Sequence, residues 1–63
     1  MIHFELRDGP DDLPYAKTYD TRGQAARAAQ SKANRLQRQI QVWRMSDRGE
    51  FMEGYVEPQG RAW

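Results

Sequence analysis

The period of the hydrophobic positions changes along the chain, and each change marks an element boundary. Residues 2–7 (IHFELR) alternate, with Ile2, Phe4 and Leu6 on one side and His3, Glu5 and Arg7 on the other. That period of two predicts a half-buried strand. DGPDDLP follows, and Gly9, Pro10, Pro14 and the clustered Asp residues predict a turn or short loop. Tyr15–Tyr19 (YAKTY) supplies aromatic and β-branched residues and predicts a second strand.

The pattern then becomes helical. Asp20 or Thr21 can accept a hydrogen bond from the free amides that open TRGQAARAAQSKANRLQRQ, a run rich in good helix formers. On a helical wheel Ala25, Ala29, Ala33 and Leu36 fall within about 80° of one another and form the expected buried stripe. Because the stripe is mostly alanine, the helix axis should lie close to whatever it packs on. Arg27, Arg35 and Arg38 project from the opposite side with Gln24, Ser31 and Asn34.

QIQVWRM and EFMEGYVE flank Ser46-Asp47-Arg48-Gly49, a strong hairpin signal. A three-residue loop ending in Gly49 pairs Ser46 with Glu50, Met45 with Phe51, Trp43 with Glu53 and Gln41 with Tyr55. In that register Ile40, Val42, Met52 and Val56 share one face, and Trp43, Met45, Phe51 and Tyr55 share the other. The aliphatic face suits the alanine stripe, while the aromatic face has no second helix to cover it. The last residues, 58–63, show no periodicity and are expected to be an irregular tail, from which Trp63 could fold back. The expected architecture is α+β: one Ala-rich helix packed on a three- or four-stranded antiparallel sheet in the order ββαββ.

Composition narrows the function classes. The chain has 63 residues, 38% of them hydrophobic, a mean hydropathy of -1.04, one histidine and no cysteine. Size scaling predicts about 4,200 Å² of folded surface, enough for one small domain with a thin core and too little for a two-lobed cleft. Without cysteine there is neither a disulfide nor a thiolate nucleophile, and His3 alone makes no standard metal cluster. His3 could be written into a triad with Ser31 or Ser46, and Asp11 and Asp12 are adjacent acids, but neither has the spacing that catalysis or calcium binding needs. The glycines are scattered and form no phosphate loop. These readings predict no enzyme, no cofactor and no metal. MIHFELRD lacks the basic and apolar regions of an export signal, and uninterrupted apolar stretches reach only two residues, so a cytoplasmic protein without a membrane span is expected.

The formal charge of +1 hides a segregation. Residues 1–20 sum to -3, residues 21–46 to +6 and residues 47–63 to -2. The helix is a basic ridge between acidic edges.

KTYDTRGQAARAAQSKANRL followed by QIQVWRMSDRGEF resembles short bacterial and phage proteins in which a strand, an Asp-Thr helix cap, an Ala-rich helix and a hairpin turning at Asp-x-Gly make a ββαββ unit. The layout is similar to that of small phage-encoded inhibitors, among them anti-CRISPR proteins and small inhibitors of host RNA polymerase. The resemblance spans roughly residues 15–57 and implies the fold and an accessory role in host cytoplasm, with no site residue carried across.

Three readings of the aromatic face follow. It can anchor a larger protein or a second copy of the chain, with Trp43, Met45, Phe51 and Tyr55 as apolar anchors and Arg44 as a donor fork. Alternatively it can stack single-stranded bases while Arg27, Arg35 and Arg38 track phosphates. Or Tyr15, Tyr19 or Trp63 covers it as a second small core, with Arg44 paired to Glu50 or Glu53. Protein binding, by an inhibitor or adaptor occluding a site on a host protein, is the expected function, and nucleic-acid binding is the alternative.

Overall fold

Thr21 starts the helix. Its backbone is extended (φ -128°, ψ 155°) and its hydroxyl accepts from the Gln24 amide at 3.1 Å, satisfying one of the free donors of the first turn. Helix α1 runs Arg22–Leu36 in the computed structural model of the chain, which describes residues 1–58 and the backbone of 61–62. Gln37 ends it by adopting the left-handed conformation (φ 56°, ψ 47°) and donating its amide to the Ala33 carbonyl. The helix therefore stops short of the Gln39 limit suggested by the sequence. Ala25, Ala29 and Ala33 are fully buried as the stripe requires, but Leu36 is 38% exposed. The stripe ends a turn early, where the chain reverses at Gln37 towards the next strand.

The strands form one antiparallel sheet. β1 (His3–Arg7), β2 (Thr18–Tyr19), β3 (Ile40–Ser46), β4 (Gly49–Glu57) and β5 (Arg61–Ala62) lie in the order β2-β1-β3-β4-β5. The fold is α+β, one helix packed on an antiparallel sheet, as the hydrophobic pattern predicts. Two details differ. The second strand is confined to Thr18–Tyr19, because the Tyr15 amide turns in to donate to the Leu6 carbonyl at 2.9 Å. In the segment expected to be irregular, Arg61–Ala62 pair with Glu57 and Val56; Trp63 lies outside the described residues.

Phe4, Leu6, Ile40, Val42 and Val56 from the sheet meet the three helix alanines in a single core, with Tyr15 and Tyr19 packed against it. The total surface, 4333 Å², is what a one-core chain of this size should expose.

The hairpin turns more tightly than its sequence suggests. Ser46 pairs directly with Gly49, leaving Asp47 and Arg48 as the turn, and Gly49 takes a φ of 129° that side-chain-bearing residues rarely adopt. Met45 then pairs with Glu50, Arg44 with Phe51 and Trp43 with Met52, each one residue from the expected register. A β-bulge between Val42 and Trp43, with Glu53 as the extra residue, restores the expected pairing of Gln41 with Tyr55 and Ile40 with Val56. Its consequence is an exchange of faces. Met52 joins Trp43 on the side away from the helix, and Phe51 moves to the helix side opposite Arg44.

Candidate functional site

Strand alternation and register place His3, Glu5 and Arg7 of β1 beside Met45, Trp43 and Gln41 of β3 on the face away from the helix, with Glu50, Met52 and Tyr55 of β4 completing it. Its centre is a cation. Arg7 is only 6% exposed; its Nη2 donates to Glu5 Oε1 at 2.7 Å and to Glu50 Oε1 at 3.1 Å, and its Nη1 reaches the Pro10 carbonyl at 3.4 Å. Burial of such a group is tolerable only because these acceptors replace water. The hydrogen bond that Arg7 donates to Glu5 is the main reason its pKa stands above its ordinary value, outweighing the opposing effect of burial, with Glu50 adding to it.

Trp43 is held by the same network. The Arg7 guanidinium lies 4.5 Å from its ring centroid, and its indole N–H donates to Gln41 Oε1 at 2.9 Å. Gln41 and Glu5 are each only 8% exposed. The indole is thus held in one orientation by the chain's own side chains. Beside it Met52 and Tyr55 remain 44% and 45% exposed.

Of the residues singled out from the sequence, the structure brings Trp43, Met45 and Tyr55 together on this face. Phe51 and Arg44 are not on it; they form their own pair on the helix side, guanidinium to ring centroid 5.3 Å. Arg44 does not pair with Glu50, which Arg7 takes, and the structure gives it no ion pair with Glu53. Tyr15 and Tyr19 pack on the helix-side core and do not cover the open face. Arg27 and Arg35 are exposed on α1, but Arg38 lies past the helix cap and reaches Asp8 at 3.4 Å, so it is not part of the ridge. Lys32 leans over Tyr15, 4.2 Å from the ring centroid.

Sequence reasoning missed Arg7 and Met52. Arg7 shares the alternation side of His3 and Glu5, so its face was legible; that Trp43 and Met45 roof it was not. Met52 was hidden by the bulge.

Among the described residues, no group of three or more His, Asp or Glu side chains gathers where it could hold a metal ion, and no helix is long and apolar enough to cross a membrane. No protein-family profile matches the chain, and no curated protein or solved structure is significantly similar to it.

Proposed function

We propose that the chain is a non-catalytic protein-binding module whose open sheet face docks an apolar, basic segment of a larger protein, occluding it as an inhibitor or adaptor does. The observation that carries this reading is the arrangement of Trp43: clamped between Arg7 and Gln41, it stands ready beside exposed Met52 and Tyr55. An anchor already in its bound orientation loses little entropy on association, and aromatic residues of this kind dominate interface energetics. Charge selects the partner. Glu5 and Glu50 against Arg7 leave a net negative charge around the anchors, which favours Lys or Arg on the docking segment and disfavours a phosphate backbone. The basic ridge of α1 faces the other way.

Affinity capture from nuclease-treated bacterial lysate tests the reading. Met52→Glu and Tyr55→Ala change exposed positions and should abolish capture of a protein partner, while Arg27→Glu with Arg35→Glu on α1 should leave it intact. Capture that disappears with nuclease, or that the helix changes abolish and the sheet changes spare, would transfer the function to the basic ridge and nucleic acid. An eluate holding only a second copy of the chain would replace the larger partner with self-association.

A further inference from the structure

The helix leaves part of its own side of the sheet uncovered. At the hairpin end Ile2, 52% exposed, and Phe51, 45% exposed, wall a groove of about 430 Å³ that Arg44, Ser46, Asp47 and Arg48 also line. This volume falls within the usual range of small-ligand sites. The groove lies on the opposite side of the sheet from Trp43, so it is independent of the docking face.

Arg44 gives the groove its chemistry. Its two cross-strand neighbours are Phe4 on β1 and Phe51 on β4, so neither flanking strand offers a counter-charge in register. The guanidinium is half-buried over the Phe51 ring, its Nε is buried without a hydrogen-bond partner, and among the described residues it makes no ion pair. Buried polar atoms without a partner are rare, and of those among the described residues, Arg7 Nε, Gln30 Oε1 and Arg44 Nε, only the last belongs to a residue that lines this groove. Arg48, exposed on the turn, adds a second guanidinium to the same groove, and its backbone amide is held by Ser46 Oγ at 3.3 Å. Asp47 offsets one of these charges, but its side chain is 93% exposed and lies 3.6 Å from the amine of Met1.

Arg44 and Arg48 line the groove beside the apolar side chains of Ile2 and Phe51, and that mixture suits a ligand with one anionic, planar group and an apolar body. We propose that this groove binds a carboxylate carried on an aryl or alkyl body, with Arg44 and Arg48 taking the carboxylate and Ile2 and Phe51 enclosing the body. A guanidinium fork matches carboxylate oxygens two to two, and the ring beneath Arg44 holds that fork flat. Such a group is found on a free carboxylic acid and on the chain-terminal apolar residue of a peptide.

Titration followed by proton–nitrogen correlation NMR tests the proposal, with 3-phenylpropionate, its amide, acetate, and N-acetyl-Ala-Ala-Phe bearing a free or amidated terminus as probes. Saturable shifts should appear at Ile2, Arg44, Arg48 and Phe51 with the carboxylates and not with the amides. Loss of one charged hydrogen-bond partner should weaken binding about tenfold in Arg44→Gln and about threefold in exposed Arg48→Gln, while Asp47→Asn should tighten it about twofold. Tighter binding of the peptide acid than of the free acid would identify a protein terminus as the source, and the reverse order a small metabolite. The proposal is overturned if no probe saturates, if the amides bind as tightly as the acids, or if acetate binds as tightly as phenylpropionate. Because Arg44 contributes packing, the Arg48 and Asp47 variants decide the matter should Arg44→Gln not fold; no change in either overturns the proposal.

Discussion

Leu6 and Arg7 are neighbours in β1, point to opposite sides of the same sheet, and are almost equally hidden, at 1% and 6% exposed. Leu6 is sealed by Ile40, Val42, Val56 and three alanines, contacts that have no preferred direction. Arg7 is sealed by two carboxylates, a carbonyl, a thioether and an indole, nearly all of which must lie at particular angles. One helix covers one face of the sheet, and among the described residues the other face is protected by the side chains standing on it. A network of charge and aromatic rings does so without presenting a continuous apolar surface, and still leaves Met52 and Tyr55 exposed.

The difference is greatest when a partner is removed. Leu6→Ala removes apolar packing and should cost about 2–5 kcal/mol. Arg7→Ala leaves the Glu5 carboxylate buried without its counter-charge and should cost about 3 kcal/mol or more, although only a charged surface-strand residue is lost. Urea denaturation measures both. Replacing the pair together, Arg7→Met with Glu5→Leu, should recover much of the loss, because no charge is then left buried. A cost below about 1 kcal/mol for Arg7→Ala would reduce the network to an ordinary surface ion pair and erase the contrast between the faces.

Enlargement tests the dry face in the opposite sense. Ala29 is fully buried between helix and sheet, in the middle of the alanine stripe, so Ala29→Leu has no space to enter and should cost about 1–3 kcal/mol through displaced neighbours. A thermal melt unchanged by that substitution would mean that the helix rides loosely on the sheet.

These two environments were unequally legible in the sequence. The dry face is written as period: alternation in residues 2–7, alanines at helical spacing and a hydroxyl cap at Thr21 each specify their own element locally. The open face depends on register, and register turned on one residue. Ser46-Asp47-Arg48-Gly49 is compatible with a loop of two residues or three, and only the bulge at Glu53 reconciles the tight turn with the pairing of Ile40 and Val56. That single residue decides whether Phe51 or Met52 stands beside Trp43. Arg38 was misplaced for a related reason: nothing in its neighbours marks Gln37, a non-glycine residue, as the left-handed cap that ends the helix.

The loop of residues 8–17 joins the two faces and provides a pH test. Tyr15 packs on the helix-side core, and its hydroxyl donates to Asp8 Oδ1 at 2.6 Å; that hydrogen bond, followed by burial, raises the phenol pKa. A folded pKa raised above the unfolded value of about 10 contributes stability that is complete below that pH and is lost as pH rises through the raised value. Wild type should exceed Tyr15→Phe by about 1 kcal/mol near neutrality, and the gap should close in alkali. The same gap at every pH would show that the hydroxyl does not donate to Asp8.

Gly23 allows the dry face to be strengthened without touching the open one. It lies in the first turn of α1, directly after Arg22, and a Cβ built there meets nothing within 4 Å. Glycine in a helix costs about 0.5–1 kcal/mol relative to alanine, because the unfolded chain loses more freedom in forming the turn. Gly23→Ala should therefore stabilise the protein by that amount. Because α1 touches only the aliphatic side of the sheet, the Arg7–Trp43 network should keep its geometry, and its NMR shifts should match those of wild type. A stability gain accompanied by altered shifts at Trp43 would show that the helix and the open face communicate through the sheet. Unchanged shifts would establish that the two faces are energetically separate, so that a partner could bind one without loosening the other.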